Sequence, residues 1–178
     1  VAETLPDIIA DRLSVVFCGI NPALSAAVSG HHFSNRSNRF WRVLHLAGFT
    51  PMEIQPEKDR TILDYHCGLT AVVERPTARA DELSAADFAG AAASFEQKIR
   101  RYAPRVVAFL GKPAYAALSG RRDINWGLQA ATFGGAAVWV LPNPSGRNRA
   151  FILDQLVIAY GELYQALNQS PAQRIEQR

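Results

Sequence analysis

Short uninterrupted apolar runs alternate along this chain with longer stretches in which apolar residues recur every three or four positions. Val15-Val16-Phe17-Cys18 is apolar throughout and then meets Gly19, Ile20 and Asn21-Pro22. That pattern predicts a buried strand over 14–19 that ends abruptly in a turn. Similar runs predict strands over 69–73, 106–110 and 136–141. Phe40, Val43, Leu44 and Ala47 lie at helical spacing and predict a helix over 37–47, with Gly48 placed to cap it. A short helix is expected over 57–63. A longer one is expected over 84–102, opened by Ser84 with Asp87 in its first turn, carrying Phe88, Ala92, Phe95 and Ile99 on one face, and stopped by Pro104. Further helices are expected over 112–118 and over 150–167, the last with Ile152, Leu156, Ala159, Leu163 and Leu167 as its core stripe. Residues 21–35, rich in Ser, Ala, Gly and His, read as a loop. Continuous apolar strands alternating with helices predict an α/β fold: a three-layer α/β/α sandwich around a four-stranded parallel sheet.

The chain has 178 residues, which predicts one domain over 1–167 followed by a polar tail over 168–178. With 48% hydrophobic and 20% charged residues, it has the composition of an ordinary soluble globular protein. No apolar run approaches a membrane span, and the first residues lack the basic start and apolar stretch of a signal peptide. Two cysteines, Cys18 and Cys67, exclude a disulfide scaffold and are too few for a cysteine-ligated iron–sulfur cluster. His31, His32, His45 and His66 show no zinc spacing, so neither a metal nor a cofactor is expected. Gly111-Lys112 lacks the upstream glycine and following hydroxyl of a phosphate-binding loop. A cytoplasmic monomer is the expectation.

Candidate chemistry gathers at two Asn-Pro dipeptides. The first strand delivers Asn21-Pro22, and the strand over 136–141 delivers Asn143-Pro144-Ser145-Gly146. Asn-Pro is also ordinary turn chemistry. In an open α/β sheet, however, ligands bind outside the carboxyl ends of the strands, so a pair of such motifs points to one site built from two distant segments. Asn21 offers an amide that cannot serve as a strong base. Phe33, His31-His32 and a helix start near Ser37 would suit a flat, hydrogen-bonding heterocycle such as a nucleobase. The second loop is short, polar and basic, with Arg147 and Arg149. Its Ser and Gly amides can approach phosphate, and a long side chain at its tip can enter a base stack. The net charge of +3, with Arg36 and Arg39 near the first motif, suits a nucleic-acid partner. Arg100, Arg101 and Arg105 read instead as a solvated helix terminus. No Ser–His–Asp or Cys–His order and no acid pair stands out, so the chemistry should rest on positioning and electrostatics.

Gly19-Ile20-Asn21-Pro22-Ala23-Leu24-Ser25 and Asn143-Pro144-Ser145-Gly146 resemble the two active-site motifs of mismatch-specific uracil/thymine DNA glycosylases, within the uracil-DNA glycosylase superfamily. The likeness runs from Leu13 to Leu167 and includes Gly30-His31-His32-Phe33, Asn38-Arg39-Phe40-Trp41 and Val73-Glu74-Arg75-Pro76-Thr77. It implies removal of uracil from G·U mismatches, and of thymine from G·T, in double-stranded DNA. By position Asn21 matches the catalytic asparagine that orients water, and Phe33 matches the aromatic that stacks on the flipped base. Ile20, Pro22 and His32 fall in the substrate-binding segments. Asn143 and Ser145 with Gly146, Arg147, Asn148 and Arg149 match the DNA-contacting loop that fills the gap and meets the unpaired guanine. Asp64 is the carboxylate nearest the pocket by family register and is the candidate auxiliary base. Ala23 stands where glycine is usual, whereas His31-His32 and Arg147 look like the thymine-removing branch. A broader glycosylase acting on single strands or other damaged bases, and a catalytically silent damage-binding module, are the alternatives that base release would separate.

Overall fold

The computed structural model describes residues 4–169; the rest of the expected polar tail, 170–178, lies outside the described residues. Five strands form one mixed sheet: β1 (Val15–Gly19), β2 (Cys67–Ala71), β3 (Val106–Leu110), β4 (Gly127–Phe133) and β5 (Ala136–Leu141), in the spatial order β2-β1-β3-β5-β4. β1, β2, β3 and β5 run parallel, and β4 pairs antiparallel to β5. The expected four-stranded parallel sheet is therefore corrected to five strands with an antiparallel edge. β3 and β5 keep their expected bounds, while β2 begins two residues early because Cys67 and Gly68 pair with Val15 and Val16. β4 escaped the apolar pattern because it lies at an edge, and much of its length, including Leu128 and Ala130-Ala131, faces out. Its signal was the turn: Gly134-Gly135, at φ +55° and +83°, makes the two-residue connection of a tight hairpin.

Helices cover both faces: α1 (Leu24–Ser29), α2 (Phe40–Leu46), α3 (Ala85–Tyr102), α4 (Lys112–Ser119) and α5 (Leu153–Asn168), with a 3-10 segment over Pro56–Tyr65. Alternate strand residues sort into two cores, as the period of a strand requires. Val15, Phe17, Val106, Ala108 and Leu110 pack on α2, the 3-10 segment and α5. Cys18, Val107, Phe109, Val138 and Val140 pack on α3 and α4. Burial pushes the Cys18 thiol well above its usual range, so this thiol stays neutral and behaves as a small apolar residue. α3 opens as expected, with Ser84 and Asp87 capping each other's backbone amide. Residues 21–35 are not all loop, since α1 forms there without a side-chain cap or an acid in its first turn and stops at Gly30. The core stripe of α5 is corrected at one position: Ile152 is exposed and Tyr160 is fully buried in its place.

Tyr160 ties this face to the second Asn-Pro loop. Its hydroxyl donates to the Pro142 carbonyl at 2.9 Å, inside the core. Burial pushes the phenol upward, so it remains a neutral donor. Tyr160→Phe keeps the ring and leaves that buried carbonyl without its partner. The expected cost is about 1–3 kcal/mol. That corresponds to a fall in Tm of roughly 2–12 °C for a chain of this size. Thermal unfolding of the variant checks it, and an unchanged Tm would show that the carbonyl finds another donor.

Candidate active site

Where β1 ends, the chain turns beside the segment that follows β2. Val72 and Val73 donate to the Gly19 and Ile20 carbonyls at 3.0 Å, Thr77 donates to the Pro22 carbonyl at 3.2 Å, and Leu24 returns a bond to Thr77 at 3.1 Å. Asn21 lies between these contacts. Its Nδ2 donates to the Arg75 carbonyl and to Thr77 Oγ1, each at 2.8 Å. A carbonyl can only accept, so this pairing sets the orientation of the amide. Both Nδ2 protons are thereby engaged, and among the described residues no donor of the chain reaches Oδ1. Thr77 Oγ1 passes its own proton to the Arg79 carbonyl at 2.7 Å. Arg75 is anchored in turn by Asp87 at 3.0 Å. The Ser84 amide, the Arg75 guanidinium and the Ser84 hydroxyl hold the Asp87 carboxyl down at about 2.

Residues 31–38 form the opposite wall. Phe33 is half-buried and stacks on Phe40, with centroids 4.2 Å apart and planes 25° from parallel. Its φ of +53° is left-handed, a conformation that costs an ordinary residue roughly 1–2 kcal/mol and persists only where neighbours impose it. His32, just before it, is buried and held on three sides. Its amide donates to Asp59 Oδ2 at 3.0 Å, its Nε2 meets the Pro6 carbonyl at 2.7 Å, and its carbonyl accepts from Trp41 Nε1 at 3.0 Å. Desolvation lowers the His32 pKa despite the Pro6 bond, so the ring is neutral at pH 7, with its proton on Nε2. The helix start expected near Ser37 is corrected to Phe40, and its backbone amides are not free for a ligand: the Ser37 amide bonds Asn35 Oδ1, Phe40 bonds Asn38 Oδ1, and Arg39 bonds the Pro144 carbonyl.

The second motif folds onto this wall. Asn143 Oδ1 accepts from the Ser145 amide, and Asn148 Nδ2 donates to the Asn143 carbonyl, both at 2.9 Å. Gly146 packs so closely on residue 37 that a Cβ there would lie 2.7 Å from the Ser37 carbonyl oxygen. Arg39 joins the two halves. Its guanidinium donates to the carbonyls of Pro144, Ser145, Asn148 and Phe151 at 2.7–3.3 Å. Expected as part of the basic surface near the first motif, Arg39 is instead a half-buried brace.

These walls enclose a cavity of about 610 Å³ at the carboxyl ends of the central strands. Asn21, Ile20, Pro22, His32, Phe33, Asn143, Ser145, Arg147 and Asn148 all border it. Gly146 and Arg149 do not; the first is spent on packing against Ser37, and the second is exposed on the loop beyond. Asp64 is also apart from it, with its side chain exposed on the 3-10 segment, so the expected auxiliary carboxylate does not meet Asn21. Two further polar residues, Thr77 and Asp7, reach the cavity. Thr77 carries the acceptor for Asn21, and Asp7 presents a carboxylate bonded to Thr70 Oγ1 at 2.9 Å and to Lys98 Nζ at 2.6 Å. Thr77 closes the Val73–Thr77 segment of the family likeness, which gave it no role of its own; nothing local marks Asp7. Among the described residues, no cluster of His, Cys, Asp or Glu could hold a metal ion, and no helix is long and apolar enough to cross a membrane.

A mixed α/β sheet with one wall-to-wall cavity at its carboxyl edge, lined by a fixed amide, an aromatic ring and an arginine-bearing loop, defines the class of this domain. A family model of the uracil DNA glycosylase superfamily matches residues 6–162, and the chain belongs to that superfamily of DNA glycosylases. Its fold is similar to the solution NMR structure of a "putative Uracil DNA glycosylase" from Methanosarcina acetivorans. The two share 20% sequence identity over 92% of this chain and 98% of that one, with a TM-score of 0.59.

Arg39→Lys tests the brace. A lysine keeps the charge but cannot span four carbonyls with one ammonium. The variant is expected to lose about 1–3 kcal/mol of unfolding free energy. Glycosylase activity should fall about tenfold or more as the loop loses its place, since small misplacements are costly in rate. Denaturant unfolding and single-turnover base release check both, and wild-type values for the two would show that the loop keeps its shape unaided.

Proposed function

We propose that this chain is a monofunctional glycosylase that hydrolyses the N-glycosidic bond of uracil, and of thymine at G·T pairs, in mismatched duplex DNA, leaving an abasic site. The observation that carries this reading is the Asn21 amide at the border of the cavity, whose Nδ2 is held by Arg75 and Thr77 while, among the described residues, no donor reaches Oδ1. An acceptor held in this way orients a water molecule without strongly deprotonating it. The target nucleotide has to leave the helix before its glycosidic bond can be reached, and an aromatic wall such as Phe33 gives the extruded base a face to stack on. Water oxygen then bonds to C1′ as the C1′–N1 bond breaks. The electron pair leaves with N1, and the water's proton passes to solvent.

Positive charge develops on the sugar and negative charge on the departing base, so donors aimed at the base favour the reaction. Asp7 also borders the cavity, but Lys98 and Thr70 hold it, so its charge is compensated where a bare carboxylate would oppose a departing anion. Among the described residues no lysine lines the cavity, which supports simple hydrolysis over a lyase step through an amine nucleophile. Arg147 is exposed at the cavity rim and sits opposite Arg79 across a second, open hollow. This placement suits a side chain that fills the gap left by the flipped nucleotide. Asn148 is engaged through both ends of its amide, to Asn143 and to the Ala150 amide, so its side chain shapes the loop while its neighbours meet the opposite guanine.

Asn21→Ala tests the reading. Single-turnover uracil release from G·U duplex should fall by about 10²-fold or more, as when one preorganised polar group is removed. Binding to the same duplex should persist, because the arginine-bearing loop is untouched. Near-normal release by the variant would remove Asn21 from the chemistry and pass the role to another cavity group.

A further inference from the structure

The loop that presents Phe33 is held by a carboxylate outside the cavity. Asp59 lies in the 3-10 segment Pro56–Tyr65, is only 4% exposed, and accepts the His32 amide proton at 3.0 Å. The same Oδ2 lies 3.7 Å from His31 Nδ1, a buried atom with no hydrogen-bond partner among the described residues. Among the described residues, His31 carries the only basic side-chain nitrogen within 4 Å of the Asp59 carboxylate. A buried carboxylate is costly unless it is paired and hydrogen-bonded, so a group kept there in a surface loop's support calls for a reason.

The adjacent geometry supplies one. The peptide that Asp59 grips is the 31–32 peptide, and the residue that follows it, Phe33, sits at φ +53°. The other two contacts of His32 fix its ring and its carbonyl, to Pro6 and Trp41. Only Asp59 fixes the amide. Without it the 31–32 peptide keeps only the longer bond from Ser29 Oγ to the His31 carbonyl, at 3.4 Å, and Phe33 can relax toward the right-handed region, carrying its ring away from the cavity wall.

We propose that Asp59 is a positioning residue for base stacking: it acts through the His32 amide to hold Phe33 in its left-handed conformation against the extruded base. The inference rests on the stacking role given to Phe33 under the proposed function. Asp59 does not border the cavity, so it has no direct route to the substrate. It also replaces Asp64 as the carboxylate through which this segment serves the site.

A double-mutant cycle separates this role from plain structural support. Single-turnover uracil release and Tm are measured for wild type, Asp59→Ala, Phe33→Ala and the double variant. Phe33→Ala should slow release by roughly tenfold to a hundredfold. Asp59→Ala should slow it about tenfold in the Phe33 background and less than about twofold in the Phe33→Ala background, because contacts that act as one unit are not additive. Asp59→Asn, which keeps an acceptor for the His32 amide, should recover most of the loss. If Asp59→Ala does not fold, Asp59→Leu, similar in volume and lacking an acceptor, takes its place in the cycle. Equal slowing in both backgrounds, or no slowing with Phe33 present, overturns the proposal and leaves the stacking role standing. Full activity in Phe33→Ala overturns the stacking role itself and this proposal with it.

Discussion

The grip of the Arg39 guanidinium on four backbone carbonyls is the contact on which the site depends. Residues 39 and 144–151 are about a hundred positions apart in sequence, and the chain returns to the first motif only after completing β5. Carbonyls that turn inward in a short polar loop must be satisfied, and a planar five-donor group satisfies several at once. The Arg39 amide adds a bond to Pro144, and Tyr160 holds the neighbouring Pro142 from below. With those carbonyls fixed, the outer edge of the loop, including Arg147, is left to face the cavity rim. A charge that first reads as a phosphate contact is used to build the surface on which phosphate or base would sit.

A second constraint comes from the sheet. Because β1, β2, β3 and β5 are parallel, their carboxyl ends open on one side, and the segments leaving β1, β2 and β5 converge there. The segment after β2 continues beside the one after β1 beyond the strands themselves, with Ala23 bridging to Thr77. That continuation turns Asn21 from a turn residue into a fixed amide. The opposite wall is set by Phe33, which stacks on Phe40 while Phe40 packs edge-on against Phe17 in β1. A continuous line of aromatic contacts therefore links the cavity wall to the centre of the sheet.

Most of this was legible in the sequence where burial is uniform. β3 is buried throughout and β5 is an apolar run with Ala137 and Trp139 only partly buried, and both keep their bounds; of the expected stripe, Phe40, Val43 and Leu44 are buried and Ala47 is partly so. The convergence of the two Asn-Pro motifs also followed from their place at the carboxyl ends of strands expected to run parallel. What stayed hidden depended on partners far away in sequence. β4 is an outward-facing edge whose pairing is set by a Gly-Gly hairpin, and α1 has no capping signal to announce it. Arg39 could not be told from a surface cation without the loop it braces. Asp7 and Asp59 are single acids in unremarkable stretches, and their importance comes from Thr70 and Lys98 in one case and the His32 amide in the other. Asp64, chosen by register, lies further along the same 3-10 segment as Asp59, on a side of it that leaves the carboxylate in solvent.

The central claim is that the two motifs act as one device, an excision pocket coupled to a wedge that fills a duplex. The most direct measurement is single-turnover base release from duplexes carrying uracil or thymine opposite guanine or adenine, and from a uracil-containing single strand. The account predicts fastest release of uracil opposite guanine, slower release of thymine from G·T, and weaker release from U·A pairs and single strands, where no mispaired guanine is present to meet the loop. Equal rates on single-stranded and mismatched duplex substrates, or binding without release from any of them, would contradict it.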